Sequence, residues 1–181
     1  MAELPVLRGN DLVLRPLGDA DQSLYVALYG DRETMSRAMP ALDAASALRA
    51  FRREREAGGQ ADAQRLTWTL SDMHDGTAFG LLGLVLDDSR GAEVGVVLPP
   101  ERQGRGHATQ AIALVARHAF DTLALGRLYT RHALGHGPAR GLMLRLAFEP
   151  APVGPPPHPV RWMLTREAWL AARRDKTGPF S

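Results

Sequence analysis

Leu98-Pro99-Pro100-Glu101-Arg102-Gln103-Gly104-Arg105-Gly106-His107-Ala108-Thr109 joins two segments of different period. Ahead of it, residues 92–98 read as a β-strand; behind it, Ala108, Ile112, Val115 and Ala119 place an apolar stripe on one face of a helix. The connection is basic and carries two glycines. A helix's first turn leaves backbone N–H groups unpaired and carries about half a positive charge, so it can hold a diphosphate without a metal. Gly104 and Gly106 let a ligand approach the main chain, Arg105 adds charge, and Thr109 offers a hydroxyl. Two other phosphate loops do not fit: there is no GxxxxGK[ST] run, and Thr109 stands where the dinucleotide fingerprint needs a third glycine.

Upstream, β-like runs at 65–70 and 79–86 precede the strand at 92–98. Asp-Met-His-Asp-Gly and Asp-Asp-Ser-Arg-Gly turns separate the three, which predicts an antiparallel meander. Leu12-Val13-Leu14-Arg15-Pro16 reads as an earlier strand closed by proline, followed by helices at 20–29 and 43–57. In the second helix, Arg52-Arg53-Glu54-Arg55-Glu56 mixes signs and reads as a solvated face. Downstream, strand 127–133, helix 139–146, strand 162–164 and helix 166–174 complete the pattern. Bunched strands followed by strand–helix alternation predict an α/β (α+β) fold, with a mixed, mainly antiparallel sheet of about six to seven strands flanked by helices. Trp68 and Tyr129 are expected to pack in the core or line a groove.

A chain of 181 residues is long enough for one full core, so residues 1–181 are read as a single domain. With 45% apolar and 23% charged residues, disordered and coiled-coil classes are excluded. The net charge of +2 gives no reason to expect nucleic acid as a partner. The absence of cysteine removes disulfides, thiolate metal sites and a cysteine nucleophile. His132 and His136 lie four apart with no evident third ligand, so no metal is expected. Met-Ala-Glu-Leu-Pro lacks the basic start of a signal peptide, and the apolar run 78–86 is too short to span a membrane, which predicts a cytoplasmic protein with no membrane partner.

Gln103, Gly106 and Ala108 match (Gln/Arg)-x-x-Gly-x-(Gly/Ala), the acetyl-CoA pyrophosphate signature of the GNAT N-acetyltransferase superfamily, which the chain resembles. The resemblance continues through Leu12 to Leu17 with Asp19-Ala20-Asp21, Trp68-Thr69-Leu70, Asp75-Gly76, Phe79 to Leu84 and Glu93-Val94-Gly95-Val96-Val97-Leu98. It extends to His136-Gly137-Pro138-Ala139, Arg145-Leu146-Ala147-Phe148 and Leu164 to Trp169, and is nearest to the ribosomal-protein N-terminal acetyltransferase (RimJ/RimL-like) branch. His136 replaces the family's asparagine, Ala139 a frequent serine and Ala147 a glycine.

The resemblance implies direct transfer of acetyl from acetyl-CoA to the primary amine of a protein N-terminus or small molecule, and is compatible with a homodimer. It assigns Gln103, Gly104, Arg105, Gly106, His107, Ala108 and Thr109 to the cofactor's diphosphate, with His107 contributing backbone from a solvent-facing position. Val96, Val97 and Leu98 would present backbone donors to the thioester carbonyl, and His136 would line the cofactor. Glu93 is the candidate base, read alongside an exposed or ion-paired carboxylate without catalytic duty. A carboxylate that some relatives place on the next strand is Arg131 here, and the family's frequent tyrosine acid falls at Met143. The changes at His136 and Ala139 keep a second reading open, an acyl-CoA-binding module with little or no catalytic activity. The proline run 150–159 occupies a stretch that helps wall the family's acceptor groove.

Overall fold

Short apolar segments at the start of the chain fold back on each other as β1 (Leu7–Arg8) and β2 (Leu12–Pro16), paired antiparallel. The computed structural model describes residues 4–58, 63–133, 135–151 and 160–174. β2 continues antiparallel onto β3 (Arg65–Asp72), then β4 (Ala78–Leu86) and β5 (Gly91–Val97), which is the expected meander. Between β2 and β3 lie a one-turn 3-10 segment, α1 (Gln22–Gly30), α2 (Arg32–Met35) and α3 (Ala44–Gly58). α4 (His107–Asp121) carries the chain across to β6 (Arg127–His132), which pairs parallel with β5. α5 (Gly137–Arg145), β7 (Glu149–Pro150), β8 (Val160–Thr165) and α6 (Arg166–Arg174) follow.

β8 inserts between β6 and β7, giving an eight-stranded sheet of order β1-β2-β3-β4-β5-β6-β8-β7. The expected six to seven strands become eight because β1 and β7 are only two residues long, below any readable alternation. Leu66, Trp68, Leu70, Leu82, Leu84 and Val94 face one side and pack under Ile112, Val115 and Phe120 of α4 and Trp169 of α6. The opposite side is covered over β4 and the end of β5, where Leu81 and Val97 meet Tyr25, Leu28 and Phe51. Trp68 is fully buried and its Nε1 donates to the Pro5 carbonyl at 2.9 Å. Tyr129 is half-buried on the sheet's second face with Arg161 over its ring at 4.0 Å.

In the acidic–basic run of α3, Arg52, Arg53 and Glu56 are exposed as expected, whereas Glu54 and Arg55 are partly buried. Glu54 accepts from the Thr67 hydroxyl at 2.8 Å and pairs with Arg65 at 3.1 Å, while Arg55 pairs with Asp19 at 2.8 Å and donates to the Leu17 carbonyl at 2.7 Å. The reason is helical phase. Ala47, Phe51, Glu54 and Arg55 share one face, and the buried Ala47 and Phe51 turn that face toward the sheet.

α5 ends on a Schellman turn: Phe148 N–H donates to Met143 O at 3.0 Å and Ala147 N–H to Leu144 O at 3.2 Å. Ala147 sits at φ 57°, in the left-handed region that glycine adopts without penalty. This explains why glycine is usual in the resembled pattern. Ala147→Gly is expected to raise unfolding stability by about 1 kcal/mol, read by urea denaturation, and an unchanged midpoint would show that the strain is relaxed elsewhere.

Candidate active site

The loop between β5 and α4 is held by its own side chains. A 3-10 turn over Pro100–Arg102 starts it, Gln103 Nε2 donates to the Leu98 carbonyl at 2.9 Å, and His107 Nδ1 donates to the Arg102 carbonyl at 3.2 Å. The Gln103 side chain therefore clasps the loop. His107 is not solvent-facing as expected: its ring packs 4.9 Å from Phe79, over which Arg102 also stacks at 4.6 Å. An imidazole that satisfies a carbonyl on one side and an aromatic ring on the other gains more there than in water.

Gly104 and Gly106 lie at φ 71° and 82°, and Gly106 is the N-cap of α4. Only glycine adopts two such angles at low cost. No side chain caps this helix, whose first ladder bond is Gln110 N–H to Gly106 O at 3.0 Å, so the N–H groups of His107, Ala108 and Thr109 are left to a ligand or water. A Cβ built on either glycine meets nothing within 4 Å, so the turn's outer side is open.

Gly104, Gly106 and Thr109 border an open cleft of about 690 Å³ that also takes Arg8, Arg117 and Arg145. Among the described residues no carboxylate lines it. Sequence reasoning missed these three arginines. Arg117 was detectable, since Gln110, Ala113 and Arg117 share a helical face, whereas Arg8 and Arg145 arrive from distant segments. Uncapped N–H groups, an open glycine turn and uncompensated cations fit a diphosphate. Arg105 is exposed and has no ion-pair partner among the described residues.

A second opening adjoins the loop. The β5–β6 pairing covers Gly91↔Arg127, Ala92↔Leu128 and Glu93↔Tyr129 and then stops, although β5 runs to Val97 and β6 to His132. Beyond Glu93, backbone donors and acceptors on that edge of β5 have no ladder partner among the described residues. Val96 packs partly against the α4-side core and Val97 against the α1–α3 side, while the Leu98 side chain is buried. The strand is thus fixed by its side chains while its edge is free.

Glu93 lies at the closed end of this opening. Arg131 grips it bidentately, Nε at 2.9 Å and Nη2 at 2.8 Å, with 41% of the glutamate side chain exposed. A carboxylate has about four lone-pair sites and the guanidinium takes two, leaving one per oxygen for water or an amine. At the other end, both His132 ring nitrogens are engaged: Trp162 Nε1 donates to its Nε2 at 2.8 Å, and its Nδ1 donates to the Ala133 carbonyl at 2.8 Å. His136 precedes α5 as its N-cap residue and accepts from Arg37 at 3.4 Å. Burial first, then Arg37 and His132, push the His136 ring below its ordinary pKa. Met143 is buried and packs in the core. Most of the proline run, 152–159, lies outside the described residues. Among the described residues no helix is long and apolar enough to cross a membrane.

Residues 11–149 match the acetyltransferase (GNAT) domain model. No curated protein matches significantly. Among solved structures, spermidine N-acetyltransferase from Vibrio cholerae, in complex with CoA and spermine, superposes at TM-score 0.74 with 21% identity over 88% of this chain and 98% of that one. An acetyltransferase from Agrobacterium tumefaciens gives 0.77 with 21% identity over 92% and 97%. A GCN5-related N-acetyltransferase from Brucella melitensis gives 0.74 with 18% identity over 92% and 81%. With its sheet, its open glycine turn and this match in place, the chain belongs to the GNAT family of acetyltransferases, enzymes that use acetyl-CoA.

Proposed function

We propose that this chain, acting as one unit over residues 1–181, transfers acetyl directly from acetyl-CoA to a primary amine. The observation that carries the reading is two sets of backbone donors flanking one loop, on the edge of β5 beyond Glu93 and at the uncapped turn Gly106–Thr109, neither with a ladder or side-chain cap partner among the described residues. When bound, acetyl-CoA supplies the activated acyl group. Around it, Gly104, Arg105, Gly106, His107, Ala108 and Thr109 hold the diphosphate mainly through main chain, with Gln103 keeping the loop closed. Main-chain groups of Val96, Val97 and Leu98 polarise the acyl carbonyl, and His136 borders the same opening.

Glu93 receives the amine's proton, directly or through water, from the lone pairs that Arg131 leaves free. Glu93→Gln is expected to lower kcat near neutral pH by roughly a hundredfold while leaving acetyl-CoA affinity unchanged. Equal turnover would instead assign the pair to an exposed structural bridge worth about 0.2–1 kcal/mol.

That ion pair, which engages the carboxylate, is what favours the second reading, an acyl-CoA-binding module with weak or no turnover. Thiol release separates the two. Purified protein with acetyl-CoA and a panel of amines and N-terminal peptides is expected to liberate CoA thiol above background; tight binding by calorimetry with no release would establish the module. The protein α-amine acceptor of the RimJ/RimL-like branch rests on sequence segments alone, and the panel includes it beside small amines and polyamines.

A further inference from the structure

The segment after α2 folds back toward the end of β6 and borders a second, open cleft of about 610 Å³. Arg32, Ser36, Arg37, Met39, Pro40 and Ala133 are among its lining. Its size suits a small molecule or the first residues of a peptide. Its place is set by two contacts: Ala133 directly follows β6, whose end flanks the unpaired edge of β5, and Arg37 reaches His136 at the start of α5. The cleft therefore lies beside the opening assigned above to acyl transfer.

Its charge is one-sided. Among the described residues its lining holds Arg32 and Arg37 and no acid. Arg32 and Arg37 have no carboxylate partner among the described residues, although acidic groups flank them in sequence. Those acids are engaged locally or turned away. Asp31 accepts from Thr34 N–H at 2.7 Å, Asp43 from Ser46 N–H and Oγ at 2.8 Å each, and Glu33 is exposed and does not line the cleft. The facing histidines add no negative charge: His132 is spent on Trp162 and Ala133, and His136 offers a nitrogen to Arg37.

We infer that this cleft is the acceptor site, and that its acceptor carries a carboxylate close to the amine to be acetylated, gripped by Arg37 and Arg32. The inference rests on the acetyltransferase reading and deepens it. A guanidinium pair offers planar, bidentate recognition of a carboxylate. The same positive field disfavours an ammonium, so it helps present the amine as the neutral nucleophile that acyl transfer needs, and it repels a polycation. Two sources share this chemistry, a free α-amino acid and a peptide whose first residue is acidic.

The test measures kcat/KM by thiol release at saturating acetyl-CoA. Free α-amino acids are set against their α-carboxamides, tripeptides beginning with glutamate against tripeptides beginning with glutamine, and spermidine serves as polycation. At least one carboxylate-bearing set is expected to exceed its neutral counterpart tenfold or more, and which set does so identifies the source. Arg37→Gln is expected to remove that preference while leaving acetyl-CoA affinity by calorimetry unchanged, and Arg37→Glu to shift preference toward spermidine. Equal use of acids and amides, or a preference of the unmodified protein for spermidine, overturns the inference.

Binding is read separately so that the two proposals fail distinguishably. Each acid and amide is titrated calorimetrically into the protein saturated with CoA. Tighter binding of the acid that disappears in Arg37→Gln supports the carboxylate site even when no thiol is released, an outcome that would end the enzyme reading alone. Equal binding of acid and amide overturns the site whatever the turnover.

Discussion

Replacing Gly106 with valine is expected to weaken acetyl-CoA binding at least tenfold, about 1.4 kcal/mol, and to lower kcat/KM with it. Two causes act together. At φ 82° a β-branched residue is forced into a backbone region that costs roughly 1–2 kcal/mol even for ordinary side chains, and relief of that strain would swing the N–H groups of the first α4 turn out of convergence. A side chain would also project from the turn that the proposed diphosphate approaches. Nothing among the described residues fills that space, so the loss should appear in ligand affinity beyond any effect on folding. Calorimetry with acetyl-CoA, beside a denaturation curve, separates the two. Affinity unchanged within twofold would sink the assigned ligand geometry.

The largest stability effect is expected at Asp21. This carboxylate, 2% exposed, accepts from both Arg15 Nη atoms at 2.7 and 2.6 Å, from Gly18 N–H at 2.8 Å and from the Thr69 hydroxyl at 2.9 Å. It ties the start of α1 to β2 and β3. Asp21→Ala leaves a guanidinium, an amide and a hydroxyl without their acceptor, and should cost about 3–5 kcal/mol, on the order of 10 °C in Tm. Burial pushes the Asp21 carboxyl up, but Arg15, Gly18 and Thr69 together outweigh it and hold it below its ordinary 3.8. A depressed pKa contributes stability that is present above the ordinary value and lost as pH falls through the folded one. The unmodified protein should therefore lose stability on acidification below about pH 4, and Asp21→Asn should flatten that acid limb. A variant with an unaltered acid limb would place the responsible carboxylates elsewhere.

These two residues show how unevenly the sequence discloses the molecule. Gly106 declares itself, because glycine in a basic turn ahead of an amphipathic stripe has few other uses. Asp21 could be matched to a pattern, but its four hydrogen bonds join residues up to 48 positions apart and exist only once β2 and β3 pair. The meander, α4 and β6 were legible from period alone. β1, α2 and β7 were not, being two to four residues long, and neither was the insertion of β8 beside β6, which is decided by pairing rather than by local preference.

The site divides in the same way. The phosphate turn was readable from local chemistry, whereas its companions Arg8 and Arg145, and the approach of Arg37 to His136 across 99 positions, follow from topology. The sequence offered Glu93 as the base and Arg131 only as the residue standing where some relatives carry a carboxylate. The parallel register that sets Glu93 against Tyr129 also brings Arg131 within reach, so the two become one ion pair.

The seam between β5 and β6 keeps three registers, whereas every other interior pair of strands keeps five or more. Such a sheet is expected to behave mechanically as two stiff plates scored along one line. Among the interior seams, thermal flexing is expected to concentrate on the score, since it has the fewest bonds to lose. On the proposed reading, a molecule lodged there would enter without breaking a ladder and bridge both plates, and the protein is expected to be at its most rigid while loaded.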